Sequence, residues 1–386
     1  MKILYYLDGL NRGGVEMIVT KLANFFFLNG NEIHIIYLYK DRDDLKEDLN
    51  PNIILHPLPF DHKKKPYFQY CKYCKQLIKL LKQIQPDIIH AHNSSFSYFF
   101  LASAIRLTGL KTINIRTLHF MGFFLERKTL MDRIRFYFDK KASEFLQSII
   151  VPVSPIIKNI VEKQYSWNQV FLITNGIDFN KILNAKVTKS ELGIDDNYIV
   201  GIYISRICEG KNHIVLLQSW LKVTEAFPNA LLILIGDGPL KQEYEDFCNQ
   251  NELRNNVFFT GSISNVSNYL SISDIGVFPS ESEGLSLGLC EMMVAKLPVI
   301  VSDIPAFKSI IKDEENGIFF DTYNPEDLAN KIIRVLSDNE MSKKLGNNAC
   351  ECVKKNYSID LMLNKYQNLY RREFINNKKN DDQNSK

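Results

Sequence analysis

Ser280-Glu281-Ser282-Glu283-Gly284-Leu285-Ser286-Leu287-Gly288-Leu289-Cys290-Glu291 sets two carboxylates, Glu283 and Glu291, on either side of a glycine turn that opens into an apolar helix. Just ahead of it, Asp274-Ile275-Gly276-Val277-Phe278-Pro279 reads as a short buried strand. A strand, a tight turn and a helix N-terminus make an anion site, because unpaired backbone N–H groups and the helix dipole converge there. Carboxylates beside such a site repel phosphate, but they suit hydrogen bonds from hydroxyls on flanking sugar rings. Were the whole segment between them helical, the two would stand roughly 12 Å apart, the reach of a sugar–diphosphate–ribose. The stretch reads as a nucleotide-sugar site.

Outward from it, short apolar strands alternate with longer helical patterns. In the first half strands are expected at 3–7, 33–39, 87–91, 112–116 and 148–153, with helices such as 15–29 and 68–84 between them. The second half repeats the scheme at 198–204, 230–235, 257–260, 275–278 and 298–302. Such alternation implies parallel sheets with crossover helices. At 386 residues the chain is long for one core and comfortable for two. The pattern breaks at 165–178, around Trp167, Asn168 and Asn175-Gly176, so two βα domains are expected, 1–168 and 169–356. A helix with aromatic spacing (Tyr366, Tyr370) follows at 357–374, then a polar tail, 375–386, expected to be disordered.

Composition is that of an ordinary globular protein, 45% hydrophobic and 24% charged. The net charge of +3 conceals an asymmetry: residues 1–170 carry 24 Lys and Arg against 15 Asp and Glu, the remainder 23 against 29. A basic first half suits a negatively charged surface or acceptor. Seven cysteines are scattered, and Cys71-x-x-Cys74 and Cys350-x-Cys352 lack the partners a zinc site needs, so they read as reduced thiols. The N-terminus reads as a first strand rather than a signal peptide, and no apolar run reaches the length of a membrane span. A cytoplasmic protein is expected, able to touch the inner face of the plasma membrane from that side.

Four further stretches keep order and spacing with the first: Gly13-Gly14-Val15-Glu16 after the first strand, Asn175-Gly176-Ile177-Asp178, Arg206 with Lys211 five residues on, and Gly236-Asp237-Gly238-Pro239. With the Glu-x7-Glu run after Pro279-Ser280, they make the chain resemble the retaining GT-B glycosyltransferases of the large family four, from Met1 to about Tyr370. The resemblance implies an α/β fold of two Rossmann-like domains whose parallel sheets face a central cleft, with the acceptor bound by the first domain and the donor by the second. It also implies a last helix that crosses back to the first domain.

Breaking an anomeric C–O bond puts negative charge on the departing diphosphate, which fixed cations and N–H dipoles stabilise. Arg206 and Lys211 follow the strand 198–204, at the end where parallel sheets bind ligands. By the resemblance both contact the donor's diphosphate, with the backbone of Gly284, Leu285, Ser286 and Leu287 completing the cradle. Glu291 then holds the ribose, Glu283 touches the transferred sugar, and Gly13 and Gly14 face the diphosphate. The alternatives are a solvated Arg and Lys, a pair of exposed carboxylates and a plain βα turn. His119 ends a strand-like run and by resemblance lies near the reacting sugar; a packed histidine is the plain alternative. His90-Ala91-His92, at another strand end, reads as structural.

Basic residues interleave with apolar ones in two places. In 120–138, Arg127, Lys128, Arg133 and Arg135 stand among aromatic residues, and in 63–82 Lys63-Lys64-Lys65 leads into Lys72, Lys75, Lys79 and Lys82. Either an anionic membrane surface or ordinary amphipathic helices would explain them. Asp41-Arg42-Asp43 is a D-x-D that reads as a solvated turn, so neither metal nor other cofactor is expected. The chain departs from the family at Ser205 and Lys296, where glycine is usual; this touches the fine geometry of the donor site, not its charges.

The expected activity moves a hexose or N-acetylhexosamine from a nucleoside-diphosphate sugar, UDP foremost, to a glycan or lipid-linked glycan in surface-polysaccharide synthesis, with no nucleic-acid partner. A non-catalytic GT-B partner subunit is one rival, and a sugar-nucleotide hydrolase or epimerase on the same fold is another.

Overall fold

The structure is a computed structural model that describes all residues except 40–42, 59, 61–65, 93–94, 120–129, 165–168, 284–285 and 385–386. It divides into two units, Met1–Asn175 with Met362–Lys386, and Gly176–Leu361. The chain leaves the first unit after Asn175 and returns to it inside its last helix.

The first unit holds β1 (Lys2–Leu7), β2 (Glu32–Tyr37), β3 (Ile54–Pro57), β4 (Ile88–Ala91), β5 (Ile113–Leu118) and β6 (Ile149–Pro152). They pair in parallel in the order β3-β2-β1-β4-β5-β6. In the second unit β7 (Ile199–Ile204), β8 (Ala230–Ile235), β9 (Val257–Gly261), β10 (Ile275–Phe278), β11 (Val299–Ser302) and β12 (Ile318–Phe320) form the order β12-β11-β10-β7-β8-β9, again parallel. Inner strands such as β8 and β10 are buried along their whole length, which is why they read as unbroken apolar runs.

Both sheets add two strands to one side of their first strand and then jump back to its other side. The jumps place β4 beside β1 and β10 beside β7. At such a switch point the two connections leave in opposite directions and open a crevice at the carboxyl ends of the strands. The residues that follow β1, β4, β7 and β10 are thus the ones the fold offers to a ligand.

The last helix, Ile359–Asn384, buries Met362, Tyr366, Leu369 and Tyr370, and Tyr370 stacks on Phe26 at 4.6 Å. The expected disorder from residue 375 does not hold for 375–384, which stay helical. A helix already nucleated by packing extends at little cost, and Lys378 lies 4.7 Å from the Phe374 ring.

Candidate active site

Arg206 and Lys211 leave the end of β7, and Glu281 and Glu283 leave the end of β10, so both loops stand at the second unit's switch point. Their approach is enforced from below. Tyr203, fully buried on β7, donates its hydroxyl proton to the Lys211 carbonyl at 2.8 Å and lies 3.0 Å from Ser280 Oγ. The Glu281 N–H donates to the Gly210 carbonyl at 3.0 Å. Asn212, in the left-handed region at φ 54°, donates from its amide to the Thr322 carbonyl at 2.7 Å and fixes the exit of the loop. The result is an ion pair: Lys211 Nζ lies 2.6 Å from Glu283 Oε1, with Glu283 only 10% exposed. Arg206 is exposed on the same loop.

The helix Leu287–Val294 begins beside this pair. Ser286 caps it, its hydroxyl accepting from the Leu289 N–H at 3.2 Å, and the remaining first-turn N–H groups and the dipole are left for an anion. Gly288 lets that helix lie on β7: a Cβ there would come 2.7 Å from the Ile204 carbonyl oxygen. Gly236 and Gly238 serve the neighbouring loop, since a side chain at either would strike the carbonyls of Ser205 and Ile207. Glu291 sits half-buried inside the helix. The helix starts only at Leu287, so the two carboxylates are not joined by a continuous helix as the roughly 12 Å spacing assumed. Gly284 and Leu285 lie outside the described residues.

In the first unit Gly13 caps the helix Gly14–Leu28 in an extended conformation, and the Glu16 carboxylate folds back over it, in the space a Cβ on Gly13 would need. His119, at the end of β5, pairs with His92, at the end of β4: Nε2 of the former is 2.9 Å from Nδ1 of the latter. The pairing was not legible in the sequence, where His92 read as structural; the H-x-H at a strand end was its only signal. Burial pushes His92 well below the ordinary histidine range, and burial together with the Arg116 charge lowers His119 to about 3. Arg116 itself is held by Asp139 at 2.6 Å, both side chains buried.

Both rings are therefore neutral near pH 7, with one N–H each. His92 Nε2 and His119 Nδ1 are buried with no hydrogen-bond partner among the described residues. Whichever ring donates to the other, one of these two nitrogens carries a proton and the other does not. The pair thus offers one donor and one acceptor, the complement of a hydroxyl group.

The structure brings Lys211, Glu283, Ser286 and Leu287 together around the end of β10, with Arg206 on the Lys211 loop and Glu291 in the adjoining helix. Gly13, Gly14 and His119 belong to the first unit. Sequence reasoning missed Tyr203, whose role depends on two loops that meet only in the fold. In the helix Pro66–Ile84, Tyr73, Leu77 and Leu81 are buried in the core and Lys75, Lys79 and Lys82 are exposed, an amphipathic arrangement that fits either reading of that stretch. Lys63, Lys64, Lys65, Arg127, Lys128, Asp41 and Arg42 lie outside the described residues. Among the described residues no group of three or more His, Cys, Asp or Glu is placed to hold a metal, and no helix is long and apolar enough to cross a membrane.

Paired parallel α/β units, with a cation–carboxylate pair and a helix N-terminus at a switch point, define a two-domain enzyme of the sugar-nucleotide class. Residues 12–181 match the model of Glycosyltransferase Family 4, and residues 185–351 match that of Glycosyl transferases group 1. The chain belongs to these glycosyltransferases. It is 24% identical to the UDP-Gal:alpha-D-GlcNAc-diphosphoundecaprenol alpha-1,3-galactosyltransferase of Escherichia coli, over 95% of this chain and 97% of that protein. It is also 24% identical to the alpha-monoglucosyldiacylglycerol synthase of Acholeplasma laidlawii, over 92% and 93%. Among solved structures, Anabaena HepE in complex with UDP and glucose superposes with a TM-score of 0.81 at 16% identity, covering 96% of this chain and all of that one. The fold is GT-B.

Proposed function

We propose that the chain is a retaining transferase that moves a hexose or N-acetylhexosamine from a UDP-sugar to a glycan or lipid-linked glycan, in surface-polysaccharide synthesis. The observation that carries this reading is the Lys211–Glu283 pair beside the N-terminus of the helix Leu287–Val294. Lys211 and Arg206 neutralise charge growing on the leaving diphosphate, and the N–H groups of the first turn, with Gly284 and Leu285 before it, donate to its oxygens. Glu283 takes a hydroxyl of the transferred sugar and aims Lys211. Glu291 takes the ribose, and Gly13 and Gly14 are further donor contacts. His119, with His92, binds a sugar hydroxyl through its donor–acceptor pair of nitrogens. The leaving phosphate oxygen takes the acceptor's proton, and no metal is required, the two cations supplying the charge a metal would bring.

A lipid-linked acceptor is supported by what the names of the Escherichia coli and Acholeplasma relatives state of those proteins. It is supported also by the helix Leu130–Leu146, which exposes Leu130, Met131, Tyr137 and Phe145 among Arg133, Arg135 and Lys141. Apolar and cationic side chains on one surface suit the cytoplasmic face of an anionic membrane. Calorimetric titration of UDP, GDP and ADP tests the donor site. Selective binding of UDP, weakened by Lys211→Ala and by Glu291→Ala, is expected. Failure of all three to bind would replace the reading by a non-catalytic partner subunit, and sugar release without acceptor by a hydrolase.

A further inference from the structure

We propose that Tyr366 and Tyr370, on the chain's last helix, position the His92–His119 pair through Thr117 and His90. This rests on the role given above to His119. His90 on β4 and His92 just past its end are two residues apart, as are Thr117 on β5 and His119 just past its end, so each pair points to one face of the sheet. Beneath the two outer histidines lies a run of buried hydrogen bonds. Tyr366 Oη is 3.0 Å from Thr117 Oγ1, which is 2.7 Å from His90 Nε2, and His90 Nδ1 meets the Tyr370 hydroxyl. Tyr370 donates in turn to the Tyr5 hydroxyl at 3.5 Å.

One direction satisfies the whole run. Because Tyr370 gives its proton to Tyr5, its oxygen accepts from His90 Nδ1–H. His90 Nε2 then accepts from Thr117, and Thr117 accepts from Tyr366. This holds His90 in a single tautomer and orientation, and its ring lies against that of His92, centroids 4.0 Å apart at 44°. His92 in turn holds His119.

A packing role alone does not account for this. Phenylalanine at 5, 366 and 370 would fill the same volume, whereas hydroxyls and imidazoles that are all but excluded from solvent must each be partnered to be tolerated. They are gathered beneath the strand ends that the switch point offers to a ligand, and the run stops one layer short of the two nitrogens of His92 and His119 that have no partner among the described residues. Tyr366 and Tyr370 are positioning residues: they reach the ligand end of β4 and β5 only through other side chains.

The test uses the full chain with Tyr370→Phe, His119→Ala and the double variant, measured with the donor that binds and its acceptor. Tyr370→Phe is expected to lower kcat about ten- to a hundredfold with the KM for donor and the affinity for UDP unchanged. The double variant should be no slower than His119→Ala alone, since both changes act through one residue. An unchanged kcat, or losses that multiply, would overturn the proposal. If Tyr370→Phe does not fold, Tyr366→Phe removes the other end of the run and takes its place. Nitrogen NMR of histidine-labelled protein separates this proposal from the functional reading. In a protein that transfers no sugar, movement of the His92 and His119 ring resonances on Tyr370→Phe still supports positioning, and unmoved resonances reject it.

Discussion

Lys211 and Glu283 are 72 positions apart in sequence and 2.6 Å apart in the fold, so a change at either is felt by the other. Lys211→Ala removes a charged hydrogen-bond donor and leaves a largely buried carboxylate facing the proposed diphosphate position. Charged hydrogen bonds contribute about 1.5–3 kcal/mol, so UDP affinity should fall roughly ten- to a hundredfold by calorimetry. Glu283→Gln keeps the shape of the side chain and removes its charge. Here UDP affinity should hold or rise, because a repulsive charge is gone, while transfer slows by about a hundredfold, the scale of one lost charged interaction made in the transition state. Equal losses of binding and turnover in the glutamine variant would place Glu283 at the diphosphate instead of at the sugar.

At the scale of elements, the proposed donor site depends on how closely the helix Leu287–Val294 lies on β7, and Gly288 sets that distance. Gly288→Val forces the first turn away from the Ile204 carbonyl. Overpacking of this kind costs about 1–3 kcal/mol, and a thermal scan should show a lowered Tm with UDP affinity reduced as well, because the displaced turn carries the N–H groups. The last helix makes a second prediction. Removing 375–386 cuts only its outer end, where Ile375 is 53% exposed, and should leave Tm within a few degrees. Ending the chain at 361 strips Met362, Tyr366, Leu369 and Tyr370 from the core. Each such side chain contributes about 1.5–3 kcal/mol, so the first unit should fail to fold cooperatively by denaturant titration.

For the molecule as a whole, stability should depend on pH through buried histidines. His90 and His92 are held well below their usual range by burial, and His119 and His213 are lowered to about 3, burial being the largest cause in each. The unfolded chain binds protons at these groups as pH falls below about 6.5 while the folded chain does not, so protonation favours unfolding. The contribution is present in full above the unfolded value and is lost as pH descends toward the folded ones, by up to about 1.4 kcal/mol per pH unit for each histidine. Urea midpoints should therefore fall between about pH 7 and pH 5, above the range where carboxylates titrate. His213→Gln, outside the first unit's cluster, should flatten that slope, and a slope unchanged in the variant would exclude His213 as a contributor.

Much of this molecule is written locally. Strands buried on both faces carry unbroken apolar runs, and glycines stand where a backbone must come close. Four of the five motifs follow strands of their own, so two parallel α/β units are legible in the order of amino acids alone, and so are Arg206, Lys211, Glu283 and Glu291, the residues proposed to meet the donor. The strands β3 and β12 are not: both lie at sheet edges, where four residues ending in Pro57 or the three residues Ile318–Phe320 pair on one side only and need no long apolar run. The continued helix past residue 375 escapes for a related reason, since its polar residues are helical only because the segment before them is anchored. What the amino-acid sequence determined by itself was every feature set by neighbours along the chain: periodicity, turns, caps and the identity of charges at strand ends. Only the tertiary structure decided which of those ends meet. The pairing of Lys211 with Glu283, of His92 with His119 and of Tyr370 with His90 joins residues on separate strands and helices, and its geometry follows from strand order and packing, which no local pattern encodes.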